Sequence, residues 1–273
     1  MIFAKMQATG NDFVIVEADA DRDWHLLARA MCDRHFGVGA DGLIVVAPSD
    51  VAEVGMRFFN PDGSEAAACG NGLRCVTRYA IDRGARGSEL RVQTRGGIRT
   101  VHAGPSLIQV SMGMPAFKAS EIPMTVDSRL DIILAHAVAV GGLSLKLTCL
   151  SMSNPHAVHF LDGAVSEFPL LAIGPQVENH PLFPERVNFE VANVLDRGRI
   201  AVRVWERGAG ETLSCGSGAC AVAVAARLHD YVDSNAVDVL LPGGTLTVDW
   251  DGEGEVRLSG PAELVFTGEW PDQ

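Results

Sequence analysis

A cysteine followed by Gly-x-Gly occurs twice in this chain, once in each half. The first copy begins at Cys69 and the second at Cys215, and the residues after each cysteine favour a helix. A polar residue stands nine positions before each cysteine, Asn60 in the first copy and Glu206 in the second. Two matched thiols, each at the start of a helix, predict one site that is built from two similar halves.

The order of the segments before the two cysteines also repeats. Asn11 precedes the predicted strand 13–16, and Asn154 precedes the predicted strand 157–161. The cysteines follow these asparagines after 58 and 61 positions. The chain is therefore predicted to be an internal duplication.

Composition narrows the class of protein. A chain of 273 residues suits two domains of ordinary size, and 47% hydrophobic with 21% charged residues is typical of a packed globular protein. The formal charge of −12 argues against a nucleic-acid surface, because binding to phosphates needs clustered Lys and Arg. The expected partner is a small molecule, with neither nucleic acid nor membrane.

The N-terminal residues show no signal peptide, since Lys5, Asp12 and Glu17 interrupt any apolar stretch of the required length. No apolar run is long enough for a membrane span. These features predict a cytoplasmic protein, and its six cysteines are then expected to be free thiols.

The spacing of apolar residues predicts the secondary structure: alternation indicates strands, and a helical period indicates helices. Asp21 or Asp23 is the expected N-terminal cap of the first helix. The segment Gly37–Gly42 matches the dinucleotide pattern G-x-G-x-x-G, but here a helix precedes it and a strand follows, so a turn is predicted. The predicted strands are 2–7, 13–18, 43–47, 54–60, 89–94, 98–103, 107–112, 135–140, 144–151, 157–161, 187–194, 199–205, 255–259 and 262–267, and the predicted helices are 23–34, 72–82 and 219–228.

The two Cys-Gly-x-Gly segments suit chemistry on an α-amino acid. The first N–H groups of a helix lack partners within the helix, and the helix dipole favours negative charge there. We expect a carboxylate bound by the N–H groups of Gly70-Asn71-Gly72 and Gly216-Ser217-Gly218. The same field should lower the pKa of both thiols. One thiolate could then remove the Cα proton while the other thiol supplies one from the opposite face.

Other roles for the cysteines fit the sequence less well. Cys32, Cys149, Cys75 and Cys220 are expected to be packing residues. A zinc site is disfavoured because the cysteine spacings are wide and no paired histidines accompany them, and a redox dithiol is disfavoured because no Cys-x-x-Cys is present. No metal is therefore predicted.

At these residues the chain resembles the diaminopimelate epimerase family, whose members need no cofactor and act in lysine and peptidoglycan synthesis. The resemblance runs through nearly the whole chain. The motifs that carry it are Thr9-Gly10-Asn11-Asp12-Phe13, Arg34-His35-x-Gly37-Val38-Gly39-Ala40-Asp41-Gly42, Asn60-x-Asp62-Gly63-Ser64, Cys69-Gly70-Asn71-Gly72-x-Arg74-Cys75, Asn154-Pro155-His156 and Glu206-Arg207-Gly208-x-Gly210-x-Thr212-x-x-Cys215-Gly216-x-Gly218-Ala219-Cys220.

The resemblance implies an α+β fold of two pseudo-symmetric domains, each a curved, mostly antiparallel sheet wrapped around a central helix, with the active site in the cleft between them. The implied domains are residues 1–115 with 264–273, and residues 116–263. It also implies a two-base mechanism in which Cys69 and Cys215 are the acid and base. His156 and Glu206 match family residues beside the thiols, and we pair His156 with Cys69 and Glu206 with Cys215.

The resemblance further implies a set of residues that bind diaminopimelate, and a homodimer. Amide groups donate and accept hydrogen bonds to a zwitterion, and Arg offers a fork for a carboxylate. For a turn asparagine such as Asn188, capping of the backbone is the alternative. The implied substrate-binding residues are Asn11, Asn60, Gly70, Asn71, Asn154, Asn188, Glu206, Arg207, Gly216 and Ser217, whereas Arg74 is expected to be structural.

Three positions depart from the family pattern. Gly42 stands where many members have Gln, which removes one possible contact, and Ser217 replaces a frequent Thr. Phe266 stands where many members have a Tyr implicated in dimer contact, which leaves the dimer geometry open.

The first functional hypothesis is epimerisation of LL-diaminopimelate to the meso isomer. The alternative on the same fold is a racemase or epimerase of histidine, proline or hydroxyproline. Two further hypotheses are a related isomerase or dehydratase that does not use both cysteines, and a carboxylate-binding or redox-sensing protein without catalysis. The residues that match the distal-group contacts favour the first hypothesis.

Overall fold

The computed structural model describes residues 1–18, 22–66, 69–126 and 132–271, so that Asp21 lies outside the described residues. The chain divides into two compact units. Unit 1 comprises Met1–Ser111 and Ser259–Gln273, and unit 2 comprises Met112–Leu258. The strand β17 (Arg257–Gly260) spans the second boundary between them.

Unit 1 contains a mostly antiparallel sheet. Strand β1 pairs antiparallel with β2 and with the C-terminal strand β18. The pairs β2/β3 and β4/β6 are parallel, whereas β3/β4, β4/β5, β6/β7 and β7/β8 are antiparallel. The strands are β1 (Ile2–Ala8), β2 (Asn11–Glu17), β3 (Gly42–Ala47), β4 (Val54–Phe59), β5 (Glu65–Ala66), β6 (Glu89–Thr94), β7 (Gly97–Ala103), β8 (Ile108–Ser111) and β18 (Glu263–Glu269).

The two helices of unit 1 differ in how much of their surface is buried. Helix α1 (Trp24–Cys32) buries one face, which includes Trp24, Ala28 and Met31, and Asp23 caps it by accepting from the Leu26 N–H at 3.0 Å. Helix α2 (Gly70–Asp82) is buried along nearly its whole length and contacts all the long strands of the unit. A sheet that curves around one helix explains this burial.

Unit 2 repeats these features. The pairs β9/β10, β10/β11, β12/β13, β13/β14 and β15/β16 are antiparallel, and β11/β12 and β13/β15 are parallel. The elements are β9 (Ile133–Val140), β10 (Leu143–Ser151), β11 (Pro155–Phe160), α3 (Leu170–Glu178), β12 (Asn188–Asp196), β13 (Arg199–Glu206), β14 (Gly210–Thr212), α4 (Gly216–Leu228), β15 (Ala236–Leu241) and β16 (Gly244–Asp249).

The pairings establish the duplication strand by strand. The series from β1 to β7 has the same directions as the series from β10 to β16, including a short strand at the same place in each, β5 and β14. Strand β18 pairs with β1 as β9 pairs with β10. The predicted fold class, a curved and mostly antiparallel sheet around a central helix in each of two similar domains, is confirmed.

Helix α4 is the central helix of unit 2, since it packs against β10, β11, β12, β13, β15 and β16. Helix α3 was not predicted. It contains Pro175, which lacks a backbone N–H and usually ends a helix, so the sequence gives no helical signal there. The burial of Leu170, Ile173 and Val177 in the core of the unit stabilises it instead.

Residues 37–41 lie between α1 and β3, as the predicted turn requires, and Gly42 is the first residue of β3. The backbone of the turn closes on the end of α1, because the N–H groups of Val38 and Gly39 both donate to the Met31 carbonyl. Among the described residues, no helix has both the length and the apolar character needed to cross a lipid bilayer.

Candidate active site

Each of the two matched cysteines is the residue immediately before a central helix. Cys69 precedes α2 with an extended backbone (φ −140°, ψ 121°), and Cys215 precedes α4 in the same way (φ −122°, ψ 112°). The carbonyl of each accepts the first helical hydrogen bond, from Leu73 and Ala219 at 2.8 and 2.9 Å. Each thiol therefore lies at the N-terminus of a buried helix, as the sequence predicts.

In unit 1, two candidate asparagines contact each other. Asn71, in the first turn of α2, donates through Nδ2 to Asn11 Oδ1 at 3.0 Å. Asn11 in turn donates to the Asp41 carboxylate at 2.6 Å. Asn71 Oδ1 is buried and accepts no hydrogen bond from the described residues. Asp41, which was quoted in a motif but not proposed for the site, thus fixes the amide of Asn11.

Asn60 forms a compact turn before Cys69. Its N–H donates to the Ser64 carbonyl at 2.8 Å, and its Nδ2 donates to Ser64 Oγ at 2.9 Å. Ser64 in turn donates from its N–H and hydroxyl to Asp62, and these two bonds lower the pKa of that carboxyl. Asn60 is the donor in both of the bonds that it makes to Ser64.

In unit 2, the thiol of Cys215 is buried, with 5% of the residue exposed. Its Sγ accepts from the Gly218 N–H at 3.4 Å and lies 3.5 Å from Ser217 Oγ. The Gly218 N–H is therefore engaged by the thiol rather than left for a carboxylate. Of the three predicted donors at this helix end, Gly216 and Ser217 remain.

The expectation that the helix end lowers the pKa of Cys215 is wrong for this structure. Burial raises its pKa well above the ordinary value, and the charges of Glu206 and Glu190 raise it further. The hydrogen bonds from Ser217 and Gly218 act in the expected direction, but their effect is smaller. The resting form of Cys215 is the thiol.

His156 lies in a fully buried contact that the sequence analysis did not predict. Its Nδ1 is 2.7 Å from Glu190 Oε1, and both side chains are 0% exposed. Its Nε2 is 3.0 Å from Asn154 Oδ1, and Asn154 Nδ2 donates to Ser217 Oγ at 3.3 Å. Three predicted residues, His156, Asn154 and Ser217, are thus joined in one chain that reaches Cys215.

Glu190 is the residue that the sequence analysis missed. A signal for its position was present, because Glu190 stands two positions after Asn188 in a strand in which its two neighbours, Phe189 and Val191, are apolar. Residues two apart point to the same face of a strand. A carboxylate on the face shared with Asn188 could have been proposed from this alternation, whereas its burial could not, because alternation predicts a polar face that is open to solvent.

The remaining candidates of unit 2 lie around β13 and its following turn. Glu206 accepts from the Thr212 hydroxyl at 2.5 Å, and its charge raises the pKa of Cys215. Asn188 donates to the Pro155 carbonyl and accepts from the Arg207 N–H, both at 2.9 Å. The nitrogen and the oxygen of the Asn188 side-chain amide are thus both bonded to backbone groups, as the capping alternative requires. Its contact with substrate stays a prediction.

Arg207 and Arg74 differ in their surroundings. Arg207 donates to the Glu185 carbonyl at 3.0 Å from an exposed position. Arg74 is fully buried and donates to Thr9 Oγ1 and to the Pro261 carbonyl, both at 3.3 Å, which suits the structural role expected for it. None of the six cysteines forms a disulfide in the part of the chain that the structure describes. No group of three or more His, Cys, Asp or Glu residues in the described ranges could hold a metal ion.

Comparison with known proteins agrees with the resemblance. A family model described as Diaminopimelate epimerase matches residues 3–118 and 148–265. The chain is 45% identical over 278 residues to a diaminopimelate epimerase of Acetivibrio thermocellus, with 98% of each chain covered. It is 45% identical to one of Moorella thermoacetica over 99% of each chain, and 42% identical to one of Methanococcus maripaludis over 98% of this chain and 99% of that one.

Solved structures share the fold at much lower identity. A phenazine biosynthesis protein of the PhzF family from Bacillus anthracis superposes with a TM-score of 0.74 at 18% identity, covering 100% of this chain and 99% of that chain. A hydroxyproline epimerase from Agrobacterium vitis superposes with a TM-score of 0.66 at 14% identity, covering 98% and 90%. These two likenesses concern the fold alone.

Proposed function

The chain belongs to the diaminopimelate epimerase family, and we propose that it converts LL-2,6-diaminopimelate to the meso isomer without a cofactor, in lysine and peptidoglycan biosynthesis. The observation that carries the proposal is the pair of cysteines, each placed directly before the central helix of its unit. The 45% identity to named diaminopimelate epimerases, over 98% or more of each chain, supports the choice of substrate.

The proposed chemistry uses Cys69 and Cys215 as the two bases. Because burial and the Glu206 and Glu190 charges raise the pKa of Cys215, this thiol is the proton donor in the state described here. Cys69 then removes the α-proton, and Cys215 protonates the carbanion from the other face, which inverts the centre. In the reverse direction the roles exchange.

Glu206 is proposed to act beside Cys215, where the Thr212 hydroxyl fixes its carboxylate. The pairing of His156 with Cys69 stays a prediction. The N–H groups at the starts of α2 and α4 are proposed to bind the carboxylate at the reacting carbon. The proposed contacts for the distal end of the substrate are Asn11, Asn60, Asn154, Asn188 and Arg207.

We further propose that the protein is a cytoplasmic homodimer. Leu264, Val265 and Phe266 on β18 are 51%, 56% and 46% exposed. Three consecutive large apolar side chains at the surface support an interface there, because apolar surface gains free energy when it is removed from water.

The proposal is tested by incubating reduced enzyme with LL-diaminopimelate in D2O. We expect deuterium at the α-carbon together with the meso isomer, and a loss of about 10²–10⁴-fold in rate in Cys69→Ala and in Cys215→Ala. Cys32→Ala is the matched control, since burial raises the pKa of Cys32 to about 12 and its thiol lies in the core of unit 1.

Each other outcome assigns a different function. Exchange with histidine, proline or hydroxyproline, but not with diaminopimelate, would establish the alternative racemase activity. Binding without any exchange would leave only a carboxylate-binding or sensing role. Full activity in either Cys→Ala variant would reject the two-base mechanism.

A further inference from the structure

A continuous hydrogen-bonded chain connects the buried carboxylate of Glu190 to the thiol of Cys215. It passes from Glu190 Oε1 to His156 Nδ1 at 2.7 Å, and from His156 Nε2 to Asn154 Oδ1 at 3.0 Å. It continues from Asn154 Nδ2 to Ser217 Oγ at 3.3 Å and from Ser217 Oγ to Cys215 Sγ at 3.5 Å. We call this series the Glu190 relay.

The Glu190 carboxylate is built into the fold rather than placed at the surface. It is completely buried on β12, and its Oε2 accepts no hydrogen bond from the described residues. It also packs against the first turn of α4, where a Cβ at Gly218 would lie only 2.9 Å from Glu190 Oε1. A buried carboxylate with one unsatisfied oxygen is costly, so its contact with His156 needs a compensating proton.

The positions of the amide groups fix the direction of the relay. Asn154 Oδ1 can only accept, so His156 Nε2 must carry a proton and donate it. Asn154 Nδ2 can only donate, so Ser217 Oγ accepts from it. The hydroxyl proton of Ser217 is then available for Cys215 Sγ. Every donor in the series points toward the thiol.

We propose that Glu190 is a positioning residue that fixes the His156 ring with its Nε2 proton directed at Asn154, so that the relay directs the Ser217 hydroxyl at Cys215. The contact between Glu190 Oε1 and His156 Nδ1 holds one further proton between the two groups, while Nε2 keeps its own. The pair is therefore net neutral although it contains a carboxylate. The proposal deepens the proposed function and rests on it for its catalytic meaning.

The relay matters at the moment when Cys215 loses its proton to the α-carbon. The S–H bond breaks, the C–H bond forms, and the electron pair stays on sulfur as a thiolate. The Ser217 hydroxyl and the Gly218 N–H then donate to that thiolate, and hydrogen bonds to a charged group are stronger than neutral ones. No proton needs to travel along the relay.

Other titratable groups lie near the Glu190 relay, and their charges suggest an alternative explanation. Burial raises the pKa of both Cys215 and Glu190, and the charge of Glu206 on β13 raises both further. Cys149 on β10 lies within the field of Glu190. If Glu190 acted only as one more nearby negative charge, its removal would make the Cys215 thiolate easier to form. The relay requires the opposite result.

The test measures the pH dependence of Cys215 alkylation by iodoacetamide in the Cys69→Ala background, with the modified peptide identified by mass spectrometry. Gln at position 190 can either donate to or accept from His156 Nδ1 and therefore does not fix the proton on Nε2, so Glu190→Gln should lower the rate about tenfold at a fixed pH below the thiol pKa. Ser217→Ala should give a similar loss. In the double variant, Glu190→Gln should add nothing to the effect of Ser217→Ala.

Glu178→Gln is the control for replacing a buried carboxylate of the same unit. Glu178 accepts from the Trp205 indole and the Gly208 N–H, and it contacts no member of the relay. Its alkylation profile should match that of the parent, and thermal unfolding checks that all variants fold. Faster alkylation in Glu190→Gln, no change, or an equal change with and without Ser217 would each overturn the proposal. The assay needs no diaminopimelate, so its result is independent of the substrate assignment.

Discussion

At the scale of single residues, an aromatic neighbour explains why position 42 is a glycine. A Cβ at this position would lie 2.3 Å from Cε2 of Phe58, which no repacking of a buried ring easily relieves. Phe58 is itself held edge-to-face against Phe13, with ring centroids 5.9 Å apart. In this chain the ring of Phe58 occupies the space that a Gln side chain at position 42 would need.

Gly42→Gln should lower the free energy of unfolding by about 2 kcal/mol, because the new side chain overpacks the site. Urea denaturation of the purified protein measures the change. Gly42→Gln combined with Phe58→Ala should recover part of the loss, since the ring that causes the clash is gone. Equal stability of Gly42→Gln and the parent would contradict this account.

Some features of the candidate site could be predicted from the sequence, and others could not. Cys69, Cys215 and their glycines were recognisable because the pattern occurs twice and each copy precedes a helix. The raised pKa of Cys215 was not predictable, because it depends on burial and on carboxylates that are distant in sequence. Glu190 lies 25 positions before Cys215 in the chain, and only the fold brings the two together.

At the scale of elements, the turn between β1 and β2 is stabilised by charge. Lys5 on β1 contacts Asp12 on β2 at 2.5 Å and also donates to the Gly39 carbonyl, and Arg34 donates to both Asp12 and Asp41. Asp41 is the acceptor for Asn11. This cluster fixes a proposed substrate contact by linking the segment before β3 to the turn.

The cluster predicts a dependence of stability on pH. The partners Arg34 and Lys5 hold the pKa of Asp12 at about 2, below its ordinary 3.8, although burial alone would raise it. The stabilisation is therefore complete above about pH 4 and is lost as the pH falls toward 2. The difference in unfolding free energy between the parent and Asp12→Asn should shrink by about 2 kcal/mol over this range.

Chemical denaturation at several pH values measures this difference. Gln109→Ala changes no titrating group, and its difference from the parent should stay constant across the same range. A constant difference for Asp12→Asn as well would show that Asp12 is not held by Lys5 and Arg34 in solution.

Elements with clear periodicity were predictable, and those that depend on tertiary packing were not. Helix α2 and helix α4 begin at Gly70 and Gly216, slightly earlier than the sequence indicated, because the glycines after each cysteine are already helical. Glycine has a low helix propensity, so a boundary set by an N-cap is hidden there. Helix α3 was missed entirely because Pro175 lies inside it.

At the scale of the whole molecule, β18 joins the proposed dimer interface to the sheet of unit 1. The strand pairs with β1 along its length, in a register that places Phe266 beside Lys5. A charge within the exposed apolar series would have to be desolvated on association, which is costly.

Val265→Asp should therefore convert the dimer to a monomer at micromolar concentration, as measured by sedimentation velocity. Leu171→Asp is the matched control, since Leu171 is an exposed apolar residue of unit 2 that belongs to no proposed interface. A parent protein that sediments as a monomer would reject the dimer, and a dimer in Val265→Asp would move the interface elsewhere.

The position of β18 also has a consequence for how the chain acquires its structure during synthesis. Unit 2 is continuous in sequence, whereas unit 1 lacks a strand until residues 263–269 have left the ribosome. During synthesis, β1 therefore lacks its partner β18 until all of unit 2 has been made. Unit 2 can complete its fold before unit 1 does. A circular permutant that places β18 directly before β1 would remove that wait and fold unit 1 from contiguous chain.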